Sequence, residues 1–164
     1  MAHRVAVMRE GRILQVDTPE GLYARPANRA VAAFVGQANL FDGEVLDAQN
    51  VRTSIGDLAC GAHPFPRGMA VTVLIRPEAI RPAESATGPN RFAGCVTRDR
   101  FLGAMRRFDF ALGDGQCLMI EAESHVASPS AIELPPVAVQ VIVTGQAGAE
   151  RSAETKNDNP AVPA

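Results

Sequence analysis

The chain has 164 residues, 46% of them hydrophobic, with 18 acidic and 16 basic side chains and a net charge of −2. That is enough for one hydrophobic core of ordinary size, and there is no basic excess to advertise a nucleic acid or an anionic membrane as partner. No apolar run approaches the ~20 residues needed to cross a bilayer; the start, with His3, Arg4 and Glu10 around a short apolar run, is unlike a signal peptide, so a cytoplasmic location is expected.

The first apolar runs, Val5-Ala6-Val7-Met8 and Ile13-Leu14-Gln15-Val16, flank the polar Arg9-Glu10-Gly11-Arg12. This predicts a β-hairpin with a loop longer than the tightest two-residue kind. Thr18-Pro19-Glu20 predicts a helix start, with Thr18 as N-cap and Pro19 in the first helical position. Pro26 ends that helix, and Asn28 caps a second one with Val31, Phe34 and Val35 on one side. Gly36 is the expected stop. A hairpin with two short helices buries too little apolar surface to stand alone. Residues 1–37 therefore read as the end of a larger domain.

From Ala38 the character changes to short β-like runs. Leu40-Phe41, Val45-Leu46, a segment around Val51, and Leu58-Ala59-Cys60 are weak strands. Met69 to Ile75 is the clearest strand, nearly continuous in its apolar character and so buried on both faces. Residues 82–89 form a loop rich in Ala, Ser, Gly and Pro. In Arg106–Leu112, Phe108, Phe110 and Leu112 share one face, and Gly113-Asp114-Gly115 turns the chain into Cys117–Ile120. Val137 to Val143 is the last expected strand. Residues 145–164 have almost no large apolar side chain and are expected to be a disordered tail. So many short strands with turn signals between them predict a mainly β fold, a small barrel or sandwich, over residues 38–144.

Two sets of residues carry a family resemblance. Arg4–Ile13, Thr18-Pro19-Glu20, Leu22-Tyr23, Arg25–Arg29 and Phe34-Val35-Gly36 resemble the closing stretch of the nucleotide-binding domain in ABC transporter ATP-binding subunits of the maltose, polyamine and ferric-iron importer type. Val73–Ile80, then Asn90, Gly94, Val96, Phe101-Leu102-Gly103, Arg107, Phe110, Leu112 and Asp114-Gly115, resemble the transport-associated OB (TOBE) domain of the same subunits. The resemblance implies a small OB-like barrel preceded by a hairpin and two short helices left from an α/β nucleotide-binding domain. It implies a regulatory role in coupling and dimerisation during solute uptake. The implied partners are a second ATPase subunit, as a homodimer, and a membrane permease, with the subunit peripheral at the inner face of the cell membrane. The regulatory-domain motif maps onto Arg76, Pro77, Glu78, Asn90, Gly94, Phe101, Leu102, Gly103 and Arg107. The chain departs from the family pattern at Asp17, where Gly is usual, at Gly21, where Glu is usual, and at Ala30 in place of Phe.

Catalytic chemistry is sparse. The sequence contains no G-x-x-x-x-G-K-[ST] loop to cradle phosphates and no apolar strand ending in Asp-Glu. In the family the switch histidine lies upstream of His3. This chain is therefore expected not to hydrolyse ATP, with no cofactor of its own; ATP and magnesium belong to the intact subunit that it resembles. Cys60, Cys95 and Cys117 are isolated and read as small core residues; His3, His63 and His125 are scattered, and no metal site is expected. Glu123-Ser124-His125 reads as a turn-side polar cluster, and Glu121 with Glu123 as a solvated strand face. Arg98, Arg100, Arg106 and Arg107 are the densest basic segment, but Phe108 and Phe110 have the wrong parity to stack bases beside Arg107, so no nucleic acid is expected. Arg76 and Glu78 are placed to pair across the turn at Pro77. The alternative reading is a free-standing OB-fold module that binds an oxyanion or metal chelate.

Overall fold

In the computed structural model, which describes residues 3–144, β1 (Val5–Arg9) and β2 (Arg12–Asp17) form the opening antiparallel hairpin. Its loop is only Glu10-Gly11, with φ of 51° and 75°. Two successive left-handed residues are what the tightest hairpin turn requires, so the loop is shorter than its four polar residues suggested. Helix α1 (Pro19–Ala24) begins where Thr18 Oγ1 accepts from the Gly21 amide at 3.0 Å. Helix α2 (Arg29–Val35) begins where Asn28 Oδ1 accepts from the Val31 amide at 3.1 Å. Val7, Leu22 and Val31 make a small core beneath the hairpin. Phe34 does not join them. It is 73% exposed, and Ala32 takes the inward position instead. Gly36 ends α2 with φ 168°, an extended conformation open to any residue. Its need for glycine is spatial, since a Cβ there would lie 2.8 Å from Tyr23 Cε2.

The remaining strands form two five-stranded antiparallel sheets. The first contains β3 (Asn39–Asp47), β4 (Asn50–Thr53), β5 (Gly56–Ala59), β6 (Ala70–Ile75) and β12 (Gln140–Val143), in the order β12-β6-β3-β4-β5. The second contains β7 (Arg81–Pro82), β8 (Arg91–Phe101), β9 (Met105–Leu112), β10 (Cys117–Glu123) and β11 (Ala131–Glu133), in the order β10-β9-β8-β11-β7. Their inner faces meet in one core containing Val45, Leu58, Val73, Phe108, Phe110 and Ile120. On β6, Val71, Val73 and Ile75 face that core, while Leu74 meets Ala32 of α2 and Ile142 of β12 on the other side. Burial on both faces accounts for the continuous apolar sequence of this strand. The last expected strand is shorter than its sequence suggested. Pro136–Ala138 form a 3-10 turn, Val137 is 83% exposed, and pairing starts only at Gln140. The preceding Pro135-Pro136 lacks the amides that a ladder needs. The expected tail, 145–164, lies outside the described residues.

Two asparagines close the barrel where strand pairing stops. Asn39 Nδ2 donates to the carbonyls of Ile75 (3.3 Å) and Met119 (2.9 Å), while its Oδ1 accepts from the Met119 amide at 2.7 Å. Asn90 Oδ1 accepts from the Ala59 amide (2.8 Å), and its Nδ2 donates to the carbonyls of Ala59 (2.7 Å) and Leu134 (2.8 Å). A carboxamide carries the same donor and acceptor as a peptide unit. Each asparagine thus acts as one residue of an absent strand, tying edge strand β10 to the first sheet and edge strand β5 to the second.

Candidate functional site at the junction of helices and barrel

Strand β6 delivers Arg76 beneath the two helices. Pro77 then starts a 3-10 turn, Pro77–Ala79, that ends the strand and projects Glu78 outward. The Arg76 side chain is 4% exposed. Its Nη1 donates to the carbonyls of Ala32 (3.2 Å), Gly36 (3.4 Å) and Gln37 (3.0 Å), and its Nη2 to that of Tyr23 at 3.1 Å. Those oxygens lie at the C-terminal ends of α1 and α2, and neither helix has a basic residue of its own in the last turn. Helix C-termini carry unsatisfied carbonyls and the negative end of the dipole, so one buried guanidinium from the barrel caps both helices.

Tyr23 completes the arrangement. Its ring lies 4.0 Å from the Arg76 guanidinium carbon, close enough for a cation–π contact. Its hydroxyl donates to Glu78 Oε1. Partial burial, then the bond to Glu78, push the Tyr23 hydroxyl up to about 12. Burial pulls Arg76 below the usual arginine value, with Tyr23 and Glu78 opposing it, and a guanidinium remains charged. The expected Arg76–Glu78 pair does not form: Arg76 turns inward to carbonyls and Glu78 outward to Tyr23. Pro77 sets this divergence, because the 3-10 turn points neighbouring side chains apart. The junction has two further ties. Arg29 at the start of α2 pairs with Asp42 of β3 at 2.6 Å, and Asn28 bridges to Val143 of β12.

The other motif residues lie elsewhere. Asn90, at φ 55°, is the barrel-closing residue already described. Gly94 sits where a Cβ would be 2.2 Å from the Ala111 carbonyl and 2.5 Å from the Phe110 ring, so only glycine lets β8 cross that ring. Phe101, Leu102 and Gly103 form the tip of the β8–β9 hairpin, with Phe101 70% exposed and Gly103 at φ 84°. Arg107 pairs with Glu121 directly across β9 and β10 at 2.5 Å. The nine residues are thus split between the junction, the barrel seam, one hairpin tip and the outer sheet face. Tyr23, Gly36 and Asn39 were missing from the expected set. Asn39 opens a strand that also carries Asp42, Glu44 and Asp47, so nothing local set it apart.

The remaining candidates are ordinary. Cys60 is buried, but Cys95 and Cys117 are exposed rather than core residues. They follow the outward parity of β8 and β10, each facing Ala111 in register. His125 pairs with Glu123 at the surface (3.2 Å). Arg100 pairs with Asp109 at 2.5 Å, Arg98 lies 3.8 Å from the same carboxylate, and Arg106 pairs with Asp99. Among the described residues no helix is long and apolar enough to cross a membrane.

Comparisons place this architecture. Residues 73–136 match the family model of the TOBE domain. The chain is 36% identical over 127 residues to the spermidine/putrescine import ATP-binding protein PotA of Pseudomonas aeruginosa, covering 72% of this chain and 35% of that protein. It is 40% identical over 129 residues to PotA of Shigella boydii (73% and 34%). It is 33% identical over 136 residues to the uncharacterized ABC transporter ATP-binding protein YdcT of Escherichia coli (83% and 35%). The chain spans about a third of the length of these relatives. Among solved structures, the cytoplasmic molybdate-binding protein ModG shares the fold, with a TM-score of 0.53 at 14% identity over 64% of this chain and 95% of that one. This chain therefore carries the C-terminal TOBE domain of an ABC transporter ATP-binding subunit.

Proposed function

We propose that this chain is the coupling and regulatory end of an importer's ATP-binding subunit. Residues 1–37 belong to the nucleotide-binding domain and residues 38–144 to the TOBE barrel. The barrel pairs with that of a second subunit and tunes ATP-driven opening at the inner face of the membrane, where the assembly meets its permease. ATP and magnesium are bound by the nucleotide-binding domain, and the barrel needs no cofactor. The observation that carries this reading is Arg76, a buried charge from the barrel that holds the ends of both helices. Through it, a shift of either unit moves the other, which coupling requires.

The test is uptake of radiolabelled spermidine, the solute in the names of several relatives, by cells carrying wild-type or Arg76→Met alleles. A several-fold lower uptake at equal protein level is expected. Equal uptake would overturn the coupling role. Sedimentation of the chain tests pairing, with a dimer expected.

A second reading, an OB-fold module for an oxyanion or metal chelate, is favoured by the fold shared with a molybdate-binding protein. A thermal shift with molybdate, phosphate or ferric chelates would support it, and no shift with any of them would count against it.

A further inference from the structure

Two cavities open side by side in the groove between α1 and the 3-10 turn Pro136–Ala138, and both are lined by Ala24, Val137 and Gln140. The first, about 400 Å³, is lined by Phe65, Val139 and Val141 and reaches His63 and Arg25. The second, about 380 Å³, reaches Arg76, Glu78 and Arg81. Both volumes fall within the range of small-molecule sites.

Three buried polar atoms of the lining residues have no hydrogen-bond partner: Nδ1 and Nε2 of His63, and Nε of Arg76. Enclosed polar atoms nearly always find partners in folded proteins, so these three leave hydrogen-bonding capacity beside the groove for a water or an incoming polar group. The charges say which kind. Arg25, Arg76 and Arg81 line the groove, against one carboxylate, Glu78, which is engaged by the Tyr23 hydroxyl. Among the described residues, neither Arg25 nor Arg81 has a side-chain hydrogen bond or ion pair. The apolar wall of the first cavity, Phe65, Val139 and Val141, suits an apolar body better than a fully hydrated inorganic ion.

We propose that this groove binds a small organic carboxylate with an apolar body, its charge held by the unpaired Arg25 and Arg81 and its body laid over Phe65, Val139 and Val141. The site lies where the helices meet the barrel, so an occupant touches both units at once. It stands on the groove alone and does not depend on the coupling role.

Octanoate is the probe, titrated into the full chain and followed by two-dimensional NMR, with octan-1-ol as the uncharged control. Saturable one-to-one binding is expected, with shifts centred on His63 and Val139. Octan-1-ol should bind more weakly. Val137 is 83% exposed and Ala24 is also exposed, so substitutions there leave the fold intact. Val137→Glu places a carboxylate at the mouth, and Ala24→Trp fills it; each should weaken octanoate binding by roughly tenfold or more. The proposal is overturned if the folded chain gives no saturable shift, if octan-1-ol matches octanoate, or if both variants bind like the parent.

Discussion

Tyr23 is the only tyrosine of the chain, and there is no tryptophan, so its ionisation can be read directly from tyrosinate absorbance. Folding raises its pKa from 10.0 to about 12. The folded state holds the proton more tightly than the unfolded state. The resulting stabilisation is full below pH 10 and is lost as the pH rises toward 12. The absorbance titration should therefore midpoint near 12 in the native chain and near 10 after denaturation in urea. A native midpoint at the ordinary tyrosine value would show that neither the burial of the hydroxyl nor its bond to Glu78 holds in solution. A Tyr23→Phe variant should lose this part of the alkaline destabilisation. Two departures from the family pattern are also explained at this scale. A Cβ on Gly21 would lie 2.5 Å from Asp17 Cγ, so the carboxylate at 17 occupies the room that glycine at 21 leaves free. Asp17 also accepts from the Thr18 amide at 2.8 Å, just before the helix begins. The weak helix former and the unusual acid are one exchange.

Among elements, the edges of the two sheets decide how the barrel closes. Strand β10 is held to the first sheet by the Asn39 carboxamide, 80 residues away in sequence. Asn39→Asp keeps the size and the acceptor but removes both donated bonds and sets a carboxylate against two carbonyls. A loss of about 2–4 kcal/mol is expected, read as a lower urea midpoint with an unchanged slope. An unchanged midpoint would mean that water replaces the amide without cost. Local elements were legible beforehand where the forces are local. Thr18 and Asn28 cap helices within three residues, and Phe108, Phe110 and Leu112 alternate on one strand. Phe34 was misplaced because in a seven-residue helix several apolar faces fit the same pattern, and contact with Leu74 and Ile142 selected Ala32.

Across the whole molecule, the hairpin and helices are fastened to the barrel on one side and bare on the other. Ala6 faces Val16 and Met8 faces Ile13 on the outer hairpin face, where Met8 is 56% and Ile13 60% exposed. That surface has the apolar character of one that another part of a larger protein would cover. In the isolated chain, amides of β1 and β2 should exchange with solvent at least about a hundredfold faster than those of β6, which lies between two strands and under a helix. Uniformly slow exchange from Val5 to Val35 would contradict this. The sequence by itself determined the mainly β character, the two capped helices, the turn at Gly113-Asp114-Gly115 and the likeness to ABC transporter subunits. Each of these rests on neighbours in the chain or on ordered short motifs. Only the tertiary structure decided what Arg76, Tyr23, Asn39 and Asn90 do. Arg76 reaches carbonyls 39–53 residues distant, and nothing in its local sequence distinguishes an arginine that caps two helices from one that pairs with the next carboxylate. A buried polar side chain takes whatever partners the packed chain brings to it, and those partners exist only after folding.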